Sequence, residues 1–299
     1  MDSAASEVLA RDLLQGIRRD VDAALDAYLP AGEEVPGSIH EAMRYSVLAP
    51  GKRIRPALLL LAAEALGVPR EEALPAACSL EFIHAFSLIH DDLPAMDDDD
   101  LRRGRPTNHK RFGEAVAILA GDALCALAFE VIARETRAAA LVPRLVAILG
   151  EAVGTRGMIG GQVLDLQGEE MAPDLELVRE IHHRKTAALI RAACRMAAVL
   201  GEADPVVTKA LDSYGEAVGM AFQAVDDLLD ETSTEEAMGK KTHKDRSRGK
   251  QTFPACAGLE STRAAAQELV EQAIRAIRGP LERTEALESL ALYVVARIS

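Results

Sequence analysis

The sequence has few residues of the kind that fill a β-sheet. Aromatic residues make up only 3% of its 299 residues, tryptophan is absent, and runs of β-branched side chains are scarce. Such residues normally pack the pleated faces of strands, so their scarcity argues against a sandwich, a barrel or an extended sheet. Hydrophobic residues still make up 49% of the chain, with alanine and leucine dominant. Because both residues favour helices, the composition predicts an all-α protein.

The chain also lacks an excess of positive charge. Its formal net charge is −13, which argues against binding to nucleic-acid phosphates and against attraction to anionic membranes. The first residues show neither the basic nor the apolar segment of a secretory signal. No apolar run approaches the ~20 residues that span a bilayer. We therefore expect a soluble, cytoplasmic protein with no membrane span and no nucleic-acid partner.

Cysteine is scarce and widely spaced. The four cysteines are Cys78, Cys125, Cys194 and Cys256, three of them in alanine-rich helical sequence. Such spacing is typical of free thiols in a reducing compartment and not of a disulfide framework.

Apolar residues recur at helical spacing along most of the chain. The pattern predicts helices at about 5–29, 57–67, 71–90, 113–135, 139–154, 174–200, 206–230, 260–277 and 281–297, with a short helix from about residue 38. Polar loops are predicted at 93–108 and 231–252. Since no strand series or internal repeat interrupts this order, we expect residues 1–299 to form a single all-α domain.

A glycine-rich stretch, 157–168, lies within this helical sequence. Gly160 and Gly161 lower the stability of a helix, because glycine loses much backbone entropy on folding. Their presence predicts that another element or a ligand approaches the backbone closely there.

The predicted helix 71–90 runs directly into a cluster of aspartates. Six fall within ten residues, namely Asp91, Asp92, Asp97, Asp98, Asp99 and Asp100, and Arg102, Arg103 and Arg105 follow. Six like charges repel one another, whereas a hard cation such as Mg²⁺ binds carboxylates and bridges them to substrate phosphates. Arginine forks suit phosphate oxygens. The pattern therefore predicts a Mg²⁺-dependent diphosphate site at the end of a core helix.

A second acidic cluster ends another apolar helix. Asp226 and Asp230 share one helical face, and Asp227 lies one step round from them. Phe222 and Gln223 precede the cluster by one turn. Two such helices facing each other across a cavity could hold several Mg²⁺ ions, with a diphosphate bridging the two clusters.

Basic residues that could face these clusters are spread along the chain. They are Lys52, Arg53, Arg55, Arg102, Arg103, Lys185, Lys240 and Lys250. Each alone is typical of a solvated surface, but together with bound metal they could neutralise a departing diphosphate.

A second hypothesis rests on different residues. Glu81 with His84, and Glu180 with His183, have the i, i+3 spacing of di-iron helical bundles, and Glu64, Glu130 or Glu151 could complete such a centre. This hypothesis leaves both aspartate clusters unexplained. A purely structural acidic scaffold likewise fails to explain charges placed at the ends of apolar helices.

The ordered motifs resemble those of the trans-isoprenyl diphosphate synthases from end to end. They are Gly51-Lys-Arg-Ile-Arg-Pro56, Asp91-Asp92 to Asp97 followed by Arg102-Arg103-Gly-Arg-Pro-Thr, Gly160-Gly-Gln162 with Asp165, Lys185-Thr186, and Phe222-Gln223 with Asp226-Asp227 and Asp230. Within the family the chain looks most like bacterial farnesyl diphosphate synthases, whose first motif carries the same insertion with proline, Pro94-Ala95. Pro50 departs from the pattern, since a second glycine is common there.

The resemblance implies a helical bundle around a deep central cavity, a homodimer, and several Mg²⁺ ions that Mn²⁺ could replace. It implies isopentenyl and allylic diphosphates as substrates. The implied metal residues are Asp91, Asp97 and Asp226, assisted by Asp92, Asp227 and Asp230. Isopentenyl diphosphate would be bound by Lys52, Arg55, His84 and Arg103. The allylic diphosphate would be bound by Arg102, Lys185 and Lys240, with Lys250 nearby, and Phe222, Gln223 and Thr186 would lie against the reacting carbons.

The implied reaction needs no protein nucleophile. Metal and cations draw off the allylic diphosphate, the isopentenyl double bond attacks the resulting carbocation, and the released diphosphate can take the last proton. Phe86 and Ser87 precede Asp91 by about one helical turn, so a growing tail must pass them. A bulky Phe86 would act as a floor that favours a C15 product. A C20 product is the alternative, whereas a terpene cyclase would show a different second metal motif.

Overall fold

The computed structural model describes residues 3–232 and 250–298, with side chains from residue 7 onward. Its helices, numbered in chain order, are α1 (Ser3–Tyr28), α2 (Gly37–Val47), α3 (Ile54–Ala65), α4 (Arg70–Asp91), α5 (Asn108–Phe112), α6 (Glu114–Glu135), α7 (Val142–Val153), α8 (Met158–Gly168), α9 (Leu175–Ile181), α10 (Ala188–Leu200), α11 (Pro205–Thr232), α12 (Phe253–Ala257), α13 (Leu259–Ile277) and α14 (Glu285–Ala296). A short 3-10 helix, Ala139–Leu141, precedes α7, and a π-helical segment, His182–Ala187, joins α9 to α10. The predicted all-α class is confirmed.

Two helices that carry aspartates in their last turns, α4 and α11, run through the core. α4 packs against α3 and α6, and α11 packs against α10 and α13. α3 carries the consecutive leucines 58–61, all of them buried. A helix that is apolar on nearly all sides must be covered by neighbours on nearly all sides. Because α4 and α11 pack against such neighbours, the aspartates at their carboxyl ends are carried by well-packed helices.

The predicted loop 93–108 contains a hairpin that the sequence pattern did not predict. Two-residue strands, β1 (Leu101–Arg102) and β2 (Arg105–Pro106), pair antiparallel. Between them Arg103 and Gly104 have positive φ angles of 54° and 73°, which is the geometry of the tightest hairpin turns. Strands this short leave no alternating pattern in the sequence.

The close approach predicted at Gly161 is confirmed. A Cβ on Gly161 would lie 2.3 Å from the backbone nitrogen of Lys185. On the opposite side, a Cβ on Gly219 of α11 would lie 2.6 Å from the Cα of Ala187. Because neither glycine has a side chain, the π-helical segment packs closely between α8 and α11. This packing fixes the backbone that carries Lys185 and Thr186.

Among residues 3–232 and 250–298, two helices are long and apolar enough to cross a membrane, although the sequence pattern predicted no such run. They are α4 and α6. Over the apolar window of each helix, α4 is 72% buried and α6 is 39% buried. α6 packs against α4 and leaves Ile118 and Leu119 exposed on its outer side.

Candidate active site

The first aspartate cluster begins at the last residue of α4. The carbonyl of Asp91 accepts a 2.7 Å hydrogen bond from the backbone nitrogen of Asp97, which folds the acidic loop back beside the helix end. Burial raises the pKa of Asp91 against the opposing effect of Lys185. Burial disfavours the ionised form of a carboxylate, and a cation bound beside it stabilises that form.

Asp92 is held in an ion pair. Its carboxylate is buried and accepts a 2.7 Å hydrogen bond from Nε of Arg102, and Arg102 also lies 3.6 Å from Asp99. Burial nevertheless raises the pKa of Asp92 to about 6. Arg102 is therefore fixed at the edge of the cluster, and Asp92 is less available to a metal than Asp91.

The second cluster is partly neutralised by the end of the chain. Oδ1 of Asp226 lies 2.8 Å from Nη2 of Arg297, whose guanidinium also lies over the ring of Phe222 at 5.1 Å. The surrounding protein desolvates Asp226 and raises its pKa, although 37% of the side chain remains exposed. Asp230, one turn on, is buried.

Asp227 faces a different set of partners. Its Oδ1 accepts a hydrogen bond from Gln223 at 2.8 Å. Its Oδ2 accepts one from the backbone nitrogen of Phe253 at 2.9 Å and lies 3.2 Å from Nε2 of His182. Both carboxylate oxygens are thus engaged, and they tie α11 to the π-helical segment and to α12.

Three basic side chains and one histidine interact electrostatically near the aspartate clusters. They form one group, Lys52, Arg55, His84 and Arg103. The Nε of Arg55 is buried and lacks a hydrogen-bond partner among the described residues. Burial, together with Arg55 and Arg103, lowers the pKa of His84 well below its usual value. Since buried donors are rarely left unpaired, this group is suited to an anionic ligand.

Arg53, in the same basic motif, points elsewhere. It is buried and bonds Asp22 at 2.8 Å, Glu81 at 2.6 Å, and the carbonyls of Val47 and Ala49. These bonds anchor the loop that carries Lys52. Arg103 donates to the carbonyl of Pro50 in the same loop.

A second group of cations surrounds the π-helical segment. Nζ of Lys185 lies 2.6 Å from Oδ2 of Asp165, and Nζ of Lys250 lies 3.2 Å from Oδ1 of Asp97 and 4.0 Å from Asp165. Thr186 donates a 2.6 Å hydrogen bond to Oε1 of Gln223. Lys240, which was also predicted here, lies outside the described residues.

A cavity of about 600 Å³ opens beside these groups. Arg55, His84, Asp91, Lys185 and Thr186 line its polar part. The remaining lining is mainly apolar and comes from α4 and α8, including Phe86, Leu88, Met158, Val163 and Leu166. A charged end and an apolar body suit a ligand with an anionic head and a hydrocarbon tail.

Comparison with known proteins assigns the family. The profile of the polyprenyl synthetase family matches residues 36–290. The chain belongs to this family. It is 45% identical over 282 residues to geranylgeranyl pyrophosphate synthase 7, chloroplastic, of Arabidopsis thaliana, covering 93% of this chain and 81% of the plant protein. It is 43% identical over 289 residues to a dimethylallyltranstransferase of Fischerella ambigua, covering 96% and 83%.

Solved structures agree with this assignment. An FPP/GFPP synthase from Zymomonas mobilis superposes with a TM-score of 0.86 at 38% identity, covering 97% of this chain and 99% of that one. A geranyltransferase from Helicobacter pylori, complexed with magnesium and isoprenyl diphosphate, gives 0.82 at 32% identity, covering 96% and 95%. This polyprenyl synthetase is accordingly a trans-prenyltransferase of isoprenoid biosynthesis, and its family depends on Mg²⁺.

The side chains of this polyprenyl synthetase fit Mg²⁺. Both clusters offer carboxylate oxygens, the ligands that this hard ion prefers. Within residues 3–232 and 250–298, no three His, Cys, Asp or Glu side chains form a ready-made metal cluster. Mg²⁺ usually keeps several waters and takes only one or two carboxylates together with substrate phosphates, so an open arrangement of this kind is expected.

The di-iron hypothesis requires a cluster that the described residues do not form. Glu81 is paired with Arg53, and Glu180 is paired with Arg184. His183 lies 3.4 Å from Glu216, and more than a third of each of these two side chains is exposed.

The sequence pattern did not predict that Arg297 and Asp165 would contact the site residues Asp226 and Lys185. Arg297 was missed because an isolated arginine near the chain end has no local pattern. Asp165 was recognised as part of a motif but received no role. Its spacing from Gln162, one turn earlier on α8, was the signal that could have identified it.

Proposed function

We propose that the enzyme makes farnesyl diphosphate by adding isopentenyl diphosphate to dimethylallyl and then geranyl diphosphate. The observation that carries this proposal is the position of Phe86 in the cavity wall, with 8% of its surface exposed. At about 1.5 Å per residue, five residues before Asp91 correspond to about 7.5 Å along α4. A hydrocarbon chain that grows away from Asp91 meets this ring.

We assign the diphosphate sites to the two groups of cations. Lys52, Arg55, His84 and Arg103 hold isopentenyl diphosphate, and the unpaired Nε of Arg55 supports this assignment. Lys185, Arg102, Lys240 and Lys250 hold the allylic diphosphate. The anion competes with Asp165 for Lys185, whose Nζ lies 2.6 Å from Oδ2 of Asp165.

Asp91, Asp97 and Asp226 are the proposed Mg²⁺ ligands, with Asp92 and Asp230 assisting, and several ions per site are expected. When bound, Mg²⁺ neutralises the diphosphate and favours its departure. Asp227 keeps Gln223 oriented through the 2.8 Å hydrogen bond between them. The oxygens of Gln223 and Thr186 then face the developing carbocation as fixed dipoles that are poor nucleophiles.

A C20 product is the second candidate, and one observation favours it. Several curated relatives at 44–45% identity are named geranylgeranyl pyrophosphate synthases. Their names apply to those proteins, whereas the ring of Phe86 in this chain's cavity favours C15.

The outer side of α6 supports a homodimer. Ile118 and Leu119 are 44% and 56% exposed there, in a stretch of α6 (116–129) whose one charged residue is Asp122. Large exposed apolar side chains on one face are typical of protein interfaces. We also propose that residues 1–299 form one domain and that the enzyme is soluble and cytoplasmic, as the absence of a disulfide among its four cysteines supports. Light scattering on the purified chain tests the dimer.

One assay distinguishes the candidate products. The enzyme is incubated with isopentenyl diphosphate, dimethylallyl diphosphate and Mg²⁺, and the dephosphorylated products are separated by chain length. Farnesol as the main product supports the proposal, and geranylgeraniol establishes the alternative. Condensation that persists at full rate in EDTA would contradict the role of the metal.

A further inference from the structure

His90 lies directly over Phe86 on α4. The two rings are one helical turn apart, with centroids separated by 5.0 Å and planes at 84°. This edge-to-face arrangement is a favourable one for aromatic rings. Both residues line the cavity beside α8, so the imidazole covers the side of the Phe86 ring nearest the aspartates.

The imidazole is anchored to a second helix. Nε2 of His90 lies 3.0 Å from the carbonyl oxygen of Ile118 in α6. Because a carbonyl can only accept, Nε2 must be the donor, and this bond fixes the ring orientation. Oδ1 of Asp122, also on α6, lies 3.9 Å from the same nitrogen.

Gly121 provides the space for this ring. A Cβ at position 121 would lie 2.2 Å from Nε2, 2.5 Å from Cδ2 and 3.0 Å from Cε1 of His90. Glycine is unfavourable in the middle of a helix such as α6, and its use there is explained by a ring that occupies the place of a side chain. The imidazole therefore has a fitted seat between α4 and α6.

We propose that His90, seated on Gly121, is a positioning residue that sets product length by holding the Phe86 ring across the cavity. This inference rests on the proposed C15 specificity, in which Phe86 is the floor. Without the imidazole, Phe86 gains rotamer freedom and can swing towards the space that His90 leaves. The cavity then admits a longer chain in a fraction of the molecules.

The test measures the ratio of C20 to C15 product in the full-length enzyme. It compares the wild type with Phe86→Ala, His90→Ala, Gly121→Ala and a control, Gly16→Ala, whose new Cβ has no atom within 4 Å. We expect His90→Ala to raise the ratio by about 3-fold or more, as loss of an edge-to-face pair implies. Gly121→Ala should raise it as well, because its Cβ displaces the ring, and Gly16→Ala should leave it unchanged.

Two double variants show whether His90 acts through Phe86. If it does, adding His90→Ala to Phe86→Ala produces no further lengthening, whereas an independent multiplicative effect would overturn the inference. Should Gly121→Ala fold poorly, His90→Ala/Gly121→Ala removes the clash and should fold while keeping the longer products. If that double variant had the wild-type ratio of C20 to C15 product, the proposed role of His90 would also be overturned.

The same variants distinguish a failure of the proposed Phe86 floor from a failure of the proposed role of His90. If Phe86→Ala leaves the product length unchanged, the floor itself is refuted. If Phe86→Ala lengthens the product while folded His90→Ala does not, only the role of His90 fails.

Discussion

Replacing Phe86 with alanine should lengthen the product of this enzyme. The side chain lines the cavity about 7.5 Å along α4 from Asp91, at about 1.5 Å per residue. Its removal opens space in the direction in which the hydrocarbon grows. Burying the five carbons of one more isoprene unit is worth up to about 4 kcal/mol, at about 0.8 kcal/mol per carbon. That gain is equivalent to roughly a thousandfold in binding, so even a partly filled space makes C20 a major product.

The variant should still fold. Large-to-small changes of buried phenylalanine cost about 3–5 kcal/mol, and we expect the lower value because one side of Phe86 already faces a cavity. Phe82→Leu is a matched control, since Phe82 lies one turn earlier on α4 and is fully buried. It should lower the melting temperature and leave the product at C15.

The assay uses labelled isopentenyl diphosphate with dimethylallyl diphosphate and Mg²⁺, followed by chromatography of the dephosphorylated alcohols. Circular dichroism establishes that each variant is folded. A folded Phe86→Ala enzyme that still stops at C15 would refute the reasoning, because the stopping point would then lie in other residues.

Two further predictions concern charges. Arg297→Ala should lower the melting temperature in EDTA by about 2 °C, since an ion pair with an exposed partner contributes little. Mg²⁺ with inorganic diphosphate should raise the melting temperature of Arg297→Ala by more than that of the wild type, because Asp226 has lost its counter-charge. An unchanged melting temperature of the variant in EDTA would contradict the pairing. Hydrogen bonds from Arg278 lower the pKa of Glu288, so the stabilisation is present above the unfolded pKa of about 4.3 and is lost as pH falls through the folded value. Glu288→Gln should therefore reduce the free energy of unfolding at pH 7, and this loss should become smaller as the pH falls below about 4.3; an equal loss at every pH would exclude this explanation.

The helices could be predicted because a packed helix requires apolar residues at helical spacing, and that spacing is visible within a short stretch of sequence. The apolar periodicity placed α4 and α11, and the aspartates at their ends pointed to the site. The paired glycines on α8 predicted a close contact, which the backbone of Lys185 makes. In each case the packing or the charge involves residues that are close together in the sequence, and the sequence therefore predicts it.

Other features depend on partners distant in sequence. Nothing local distinguishes Arg53, which is buried against Glu81, from Arg55, whose Nε is unpaired. The pairing of Arg297 with Asp226 joins the chain end to the second cluster. The seat for His90 required Gly121 to lie opposite it on another helix. Such contacts become visible only when the helices are packed together.

In the proposed mechanism, the two aspartate clusters act together on one diphosphate through Mg²⁺. The most direct test compares turnover of Asp91→Asn and Asp226→Asn with that of Asp100→Asn, whose carboxylate is 72% exposed and pairs with Lys110. Each of the first two substitutions should lower turnover by about 100-fold or more, since metal ligands contribute several kcal/mol to charge neutralisation. Asp100→Asn should retain nearly full activity. Near-normal turnover in folded Asp91→Asn or Asp226→Asn would contradict the proposed roles of these aspartates as metal ligands.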